Sequence, residues 1–175
     1  PSTSRNRNRI SASQWIRSLQ LINYLERLDV ESSVNKPESN PDITVFVRWS
    51  NAEARELAQT AQFKGSKVVM DLNVNYLERS DFRHIPDYVS AGDVEDALSM
   101  LQVVDGVFCA SPFLTSRARS LHSTVWYLPD SVDFNYYTFR KARSPKSRRL
   151  KLVWSGVGPK AWDLELIAST LAKLN

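Results

Sequence analysis

A short segment near the end of the chain contains glycines and a lysine that could stabilise an anion. The residues concerned, which follow the apolar run LKLVW, are Ser155, Gly156, Gly158 and Lys160. Glycines let a ligand approach the backbone amides closely, and amides at a helix start together with a lysine can bind phosphate without a metal ion. An ordinary strand-to-helix turn with a solvated lysine would have the same residues, so both interpretations stay open.

Two polar side chains end another apolar run. Asp71 and Asn73 close the segment KVVMDLN, at the kind of strand end where open parallel sheets place ligand-binding groups. Their side chains could orient the hydroxyl groups of a ligand, although Asp71 could equally cap the turn that follows. His84 lies in the long connection after this run. It could act as an acid or base, since imidazole titrates near neutrality, or it could be a plain surface residue.

Other reaction classes have little support in the sequence. Ser111 and Ser116 lie in no G-x-S-x-G motif, and helix capping explains Ser111 better. The chain has no histidine-cysteine spacing typical of a metal site, and it has no P-loop. Its single cysteine, Cys109, cannot form an internal disulfide or a zinc cluster, which favours a reducing cytoplasm.

The net charge of +4 conceals an uneven distribution. The basic residues of the first segment, which has no acid before Glu26, are Arg5, Arg7, Arg9 and Arg17. A second basic cluster comprises Arg140, Lys141, Arg143, Lys146, Arg148, Arg149 and Lys151. Such runs are usually solvated linkers, and contact with an anionic membrane or a nucleic acid is the alternative. No RNA-binding motif, zinc finger or recognition helix accompanies these charges, so nucleic acid is the weaker partner.

Strand patterns alternate with helix patterns along the chain. Strands are predicted at 30–34, 43–49, 67–72, 106–110, 124–128 and 150–155. Helices are predicted after capping residues Ser11, Ser50, Asp93 and Ser111, with Gly65 ending the second of them and a further helix near 164–174. This order predicts an α/β fold with a Rossmann-like, doubly wound, mostly parallel sheet. The tryptophans mostly fall in apolar runs, which favours core positions for them.

The length allows one good core and part of a second unit. No signal peptide opens the chain, and no apolar run approaches the roughly 18 residues that a membrane span needs, so a soluble protein is expected. The connection at 73–92 lacks clear periodicity, and its aromatic and charged residues favour a functional loop. Because folds of this type usually start with a strand, and because 150–175 is too small for a layered domain, we expect a chain truncated at both ends, or at least at its C-terminus.

Several segments follow the order of a known family. KVVMDLN resembles the strand end GKKVVYDLDD, DGVFCASPFL resembles ADGVIVSSEFL, and TVWYLPDSVDFNYYTF resembles the hinge pattern V-x-V-I-P-N-G-V-D-x-x-x-F. The helix at 9–28 and the strand at 43–49 after Asp42 also match in position. Together they resemble the N-terminal half of a glycosyltransferase with the GT-B architecture, two Rossmann-like domains joined by a hinge of the family 4 type.

The segment after the hinge resembles the opening of the second GT-B domain. RLKLVWSGVGPKAWDLELIASTLAKL follows the family form L-x-V-G-R-L-x-x-x-K-G-x-D-L-L-I-E-A, with two departures. Val157 stands where the family often has arginine, and Ala161 replaces the glycine after the lysine. The Glu-x7-Glu donor motif of the family is absent from the sequence. The resemblance therefore implies an acceptor-type domain at 1–139, a basic linker at 140–149 and the first strand-helix unit of a donor-binding domain at 150–175.

The resemblance also implies an activity and roles for the candidate residues. A sugar would pass from a nucleotide-sugar to a glycan, lipid-linked or small-molecule acceptor without a metal or other cofactor, and this chain alone would be inactive. Asp71, Asn73 and His84 would bind the acceptor, with His84 the weak candidate for catalysis. Donor phosphate would be bound by Ser155, Gly156, Gly158 and Lys160. The protein would be cytoplasmic or peripheral at a membrane; a non-catalytic Rossmann-like module that binds anionic lipid or nucleic acid is the alternative.

Overall fold

Parallel strands form the centre of the fold. The computed structural model describes residues 12–36, 40–82, 85–134, 152–155 and 164–173. The strands are β1 (Ile43–Val47), β2 (Lys67–Leu72), β3 (Ser80–Phe82), β4 (Ile85–Val89), β5 (Gly106–Cys109) and β6 (Val125–Tyr127). Four of them pair in parallel in the order β1-β2-β5-β6, and β3 and β4 form an antiparallel pair. The predicted α/β class with a Rossmann-like parallel sheet is therefore confirmed.

Helices alternate with these strands. The N-terminal helix consists of α1 (Ala12–Gln14), a π-helical segment (Trp15–Leu19) and α2 (Gln20–Glu26). The later helices are α3 (Ala52–Phe63), α4 (Ala91–Leu101), α5 (Pro112–Arg119) and α6 (Glu165–Ala172). Within the described ranges, none of the helices combines the length and the apolar character that crossing a bilayer requires.

Side-chain caps begin three of the helices. Asn51 caps α3, one residue later than predicted, because its Oδ1 is the atom that accepts the free backbone amide of the first turn. Ser90 caps α4 and forms a reciprocal capping box with Asp93, so the prediction of Asp93 as the cap is wrong. Ser111 caps α5 as predicted. Gly65 follows α3 with a φ of 95°, which confirms its predicted place at the helix end.

The described residues differ from the predicted strands in three places. Residues 30–34 form no strand, because Val30 and Val34 are exposed and this short segment has no neighbouring strand among the described residues to bond with. Residues 152–155 form no strand either, while 150 and 151 lie outside the described residues. The connection at 73–92 contains the β3–β4 pair. Its charged residues and Pro86 obscure the alternation of apolar and polar residues that predicts a strand.

The core lies between one face of the sheet and helices α3, α4 and α5. Successive strand residues point to opposite faces. The buried strand residues of the inner face are Phe46, Val68, Met70, Leu72, Val107, Cys109 and Val125. They pack in one cluster with Ala58 of α3, Met100 of α4 and Ala118 of α5. Each connection moves to the next strand in the same direction, so right-handed crossovers place these three helices on one side.

The opposite face of the sheet is covered only at its carboxyl end. Asp71 is 2% exposed there, because Arg17 of the N-terminal helix lies against it. Towards the amino end, Ile43 and Val45 of β1 are 60% and 44% exposed. Helices therefore contact both faces, but among the described residues the second layer stops short of the amino ends of the strands.

Asp105 joins three elements at the amino edge of the sheet. Its carboxylate accepts hydrogen bonds from Gln62 Nε2 at 3.0 Å, from Lys67 Nζ at 2.8 Å and from the backbone amide of Val68 at 2.9 Å. These donors, the Gln62 amide first among them, hold the pKa of Asp105 well below its usual range. The carboxylate therefore ties the end of α3 to the starts of β2 and β5.

We expect Asp105→Asn to lower the free energy of unfolding at neutral pH and to lower it by a smaller amount in acid. A carboxyl with a depressed folded pKa contributes stability above its unfolded pKa of about 3.9, and this contribution is lost as the pH falls through the folded value. Urea denaturation at pH 7 and at about pH 3 measures the change. Glu56→Gln, on the exposed side of α3, is the matched control. A deficit of the same size at both pH values would contradict the prediction.

Candidate functional site

The carboxyl ends of the parallel strands bring several polar residues to one edge of the sheet. Open α/β sheets bind ligands at this edge. The residues at or just after the strand ends are Arg48, Asp71, Asn73, Ser111 and Asp130. Asp71 and Asn73 are predicted from the sequence to lie at the ligand side of the sheet, and the structure places both of them at this edge.

Asp71 is buried and paired with an arginine of the N-terminal helix. Arg17 Nε donates to Asp71 Oδ2 at 2.9 Å and Nη2 donates to Oδ1 at 2.5 Å, and the two side chains are 3% and 2% exposed. A guanidinium and a carboxylate satisfy each other well in this forked arrangement. The basic composition of the first segment favours a solvated Arg17, but the fold buries it against a carboxylate 54 positions away.

The N-terminal helix also holds the chain where it leaves the sheet. Arg17 Nη1 donates to the carbonyl of Leu128 at 2.8 Å and to Asp130 Oδ1 at 3.2 Å. Gln20 Nε2 donates to the carbonyl of Ser131 at 2.6 Å. About two turns later, Arg27 pairs with Asp133 at 2.7 Å. We call residues 128–133 the exit loop. Its path is set by contacts along one side of the N-terminal helix.

The electrostatics of this edge favour a charged Arg17 and a neutral Cys109. Burial by itself lowers the pKa of Arg17, but the hydrogen bonds and charges of Asp71 and Asp130 outweigh burial and raise it. Burial, reinforced by the Asp71 charge, raises the pKa of the Cys109 thiol to about 11. Because the thiolate is the reactive form, Cys109 is unsuited to nucleophilic chemistry at neutral pH and packs as a core residue.

Asn73 lies just beyond the end of β2 with part of its side chain exposed. Its Oδ1 is buried and has no hydrogen-bond donor among the described residues. A buried amide oxygen without a donor costs free energy, and such groups often mark functional sites. In the part of the chain that the structure describes, no donor fixes Oδ1, so the Asn73 amide is a candidate for hydrogen bonding to a ligand.

Arg48 lies directly after the carboxyl end of β1, where its backbone amide donates to the Asp71 carbonyl at 3.5 Å, and it has an unusual backbone conformation. Its φ is 54°, in the left-handed region that few residues other than glycine adopt. Its exposed guanidinium donates to Tyr76 Oη from Nε at 3.1 Å and from Nη2 at 2.8 Å, and from Nη1 to Ser13 Oγ at 3.1 Å. The side chain is therefore held by neutral partners while its charge faces solvent.

Several predicted site residues cannot be placed. His84, Gly156, Gly158 and Lys160 lie outside the described residues, and Ser155 is described and exposed. The described residues also exclude Arg5, Arg7, Arg9 and the basic cluster at 140–151. Donor-phosphate binding, a role for His84, the linker and the domain boundaries therefore stay predictions.

Sequence reasoning missed Arg48, and it included Tyr76 only among the aromatic residues that favour a functional loop at 73–92. The predicted strand at 43–49 ran past the true end of β1 at Val47, which hid the fact that Arg48 is the first residue beyond it. A charged residue directly after the run ITVFV was the available signal. The only signal at Tyr76 was an aromatic residue in a loop, because its hydrogen-bond partner Arg48 is 28 positions away.

Neither the described residues nor the comparisons with known proteins identify a cofactor or a family. In the part of the chain that the structure describes, no three His, Cys, Asp or Glu side chains are grouped closely enough to hold a metal ion. Comparisons with protein-family models, with curated proteins and with solved structures gave no match. Functional assignment therefore rests on the chemistry of the carboxyl edge of the sheet.

Proposed function

We propose that this chain forms the acceptor-binding side of a glycosyltransferase that uses a nucleotide-sugar donor. The observation that carries the proposal is the carboxyl edge of the sheet, where Arg48 and Asn73 follow the adjacent strands β1 and β2 and where Arg17 bonds both Asp71 and the exit loop. An edge of this kind is a common ligand site in open α/β sheets. The order of sequence segments that resembles a GT-B enzyme supplies the choice of reaction.

Each residue of the edge has a distinct part in the proposal. The Asn73 amide accepts or donates hydrogen bonds to an acceptor hydroxyl, and Arg48 supplies positive charge beside it. Asp71 positions Arg17 and, through it, the exit loop, because both of its oxygens already accept from that guanidinium. Ser155, Gly156, Gly158 and Lys160 bind the donor phosphate through backbone amides and the lysine charge. No metal is part of this scheme.

The location of the reaction follows from the same proposal. A cytoplasmic nucleotide-sugar pool would supply the donor, and the basic cluster at 140–151 would allow peripheral contact with a membrane that holds a lipid-linked acceptor. The single cysteine, buried and unpaired, is in keeping with a reducing compartment.

Saturation-transfer NMR tests the proposal on the chain itself. Methyl glycosides of common hexoses serve as acceptor probes, and UDP-glucose and GDP-mannose serve as donor probes. We expect at least one glycoside to receive saturation from the chain, and Asn73→Ala to reduce that signal several-fold because the amide that orients the hydroxyl is lost. Lys64→Gln, at the opposite edge of the sheet, is the control. Absence of signal from every sugar, or an equal signal after Asn73→Ala, would refute acceptor binding at this edge.

A further inference from the structure

On the basis of the proposed function, we infer that the acceptor sugar carries an anionic group, a carboxylate or a phosphate, and that Arg48 binds it. Asn73 then receives a hydroxyl of the same sugar. Both residues belong to the ends of adjacent strands, since β1 pairs with β2 up to Val47 and Asp71 and the backbone amide of Arg48 donates to the Asp71 carbonyl at 3.5 Å. Neighbouring strands lie about 4.8 Å apart, so one sugar ring can reach both residues.

The backbone of Arg48 points to a functional constraint. Three described residues other than glycine have a left-handed φ: Asp29 at 57°, Asn35 at 52° and Arg48 at 54°. Aspartate and asparagine tolerate this conformation, because their short side chains bond locally to the backbone. Arginine has no such compensation, and glycine would remove the strain. Strained residues cluster at binding sites, where the strain places a side chain that the ligand requires.

The charge of Arg48 has no carboxylate partner within the described residues. Arg17, Arg27, Arg55 and Arg117 each pair with an aspartate or a glutamate. Arg48 donates three of its five N–H groups to the neutral Tyr76 and Ser13 hydroxyls, which leaves two donors. Two parallel N–H groups of a guanidinium bind a carboxylate or a phosphate in a forked arrangement. An anion on the ligand would therefore meet a charge that is oriented in advance.

Tyr76 keeps the guanidinium in place for this role. The Arg48 side chain lies over the Tyr76 ring at 5.9 Å from the ring centre, and the Tyr76 hydroxyl accepts two of its hydrogen bonds. Tyr76 itself packs against the hydrophobic core, so it is a rigid support. A guanidinium held in this way loses little conformational entropy when an anion binds.

Isothermal titration of the chain with a matched series of sugars tests the inference. The probes are methyl glucoside, glucuronate, glucose 6-phosphate and inorganic phosphate. We expect glucuronate, glucose 6-phosphate or both to bind about tenfold more tightly than methyl glucoside, and Arg48→Gln to remove this preference. Lys64→Gln removes one positive charge at the amino edge and should leave the preference intact.

Each outcome of this titration has one meaning. Preference for glucuronate alone supports a carboxylate, preference for glucose 6-phosphate alone supports a phosphate, and loss of either preference in Arg48→Gln supports the role of Arg48. Equal affinity for neutral and anionic sugars would overturn the inference and leave the proposed function standing. Phosphate that binds as tightly as glucose 6-phosphate would overturn the sugar part, and no binding of any sugar would overturn both.

A stability measurement separates a binding role for Arg48 from a structural one. We expect Arg48→Gly to keep or raise the melting temperature, because glycine adopts a φ of 54° without strain, and to lose the anion preference completely. A structural role for the contacts to Tyr76 and Ser13 predicts the opposite, a clear fall in melting temperature with the anion preference retained, and would overturn the inference.

Discussion

Replacing Asp71 by alanine is expected to lower the free energy of unfolding by about 3–5 kcal/mol, because Arg17 would stay buried with only the 55% exposed Asp130 left as a carboxylate partner. Typical domains are stable by about 5–15 kcal/mol, so the change removes a large share of the stability. The same variant should loosen the exit loop, since Arg17 also holds the Leu128 carbonyl and Asp130. Urea denaturation measures the first effect, and amide hydrogen exchange of residues 128–133 measures the second.

Two further variants show whether the loss comes from the unpaired charge. The double variant Arg17→Met/Asp71→Leu removes both charges and should recover most of the stability, because no buried charge is then left without compensation. Asp130→Ala deletes the 55% exposed partner of the same guanidinium and should cost about 1 kcal/mol or less. A loss for Asp71→Ala no greater than that for Asp130→Ala would contradict the predicted role of the buried pair.

The contact between Arg17 and Asp71 could not be predicted from local sequence patterns. Asp71 is recognisable as a polar residue that ends an apolar strand, and its place at the carboxyl edge follows from the parallel sheet. Arg17 lies in a segment that is basic by composition. It also lies in a π-helical turn, and the spacing of apolar residues in the sequence does not predict such a turn. A pair 54 positions apart forms through packing of the whole domain, so the sequence predicted the place of Asp71 and the helix that carries Arg17 but not the contact between them.

Elements with a strong local signal were predicted best. Strand β2 begins and ends at the predicted residues, because a glycine turn precedes its apolar run and polar residues follow it. Segment 30–34 has β-branched residues at both ends, which favours a strand. A strand needs a neighbouring strand for its hydrogen bonds, and the local sequence pattern does not show whether one is present. The strain at Arg48 also arises from tertiary structure, since it depends on where β1 stops.

The order of strands and helices along the chain was predicted better than which sheet residues the helices cover. Trp126 lies in an apolar run, which favours a core position, yet it is 48% exposed. The reason is that α3, α4 and α5 pack on the other face, which Val125 enters and Trp126 does not. The Trp126 ring rests instead on the outer face beside Phe108, at 5.6 Å between ring centres, and over Gly106.

Gly106→Ala is the second substitution for which we expect a large effect, a loss of about 1–3 kcal/mol. A Cβ atom at this position would lie 2.4 Å from Cζ3 and 2.9 Å from Cη2 of Trp126, far inside van der Waals contact. Either the indole swings away from Gly106 and Phe108 into solvent, or β5 and β6 shift relative to each other. Both responses lose apolar contact on the outer face of the sheet.

The sign of this effect should reverse when the indole is removed. In a Trp126→Leu background the clashing atoms are gone, and alanine is favoured over glycine in a strand by about 0.5–1 kcal/mol because it has less backbone freedom to lose. Urea denaturation of both single variants and the double variant gives the coupling energy directly. A loss for Gly106→Ala that persists unchanged in the Trp126→Leu background would mean that glycine is required by the backbone of β5 and not by the indole above it.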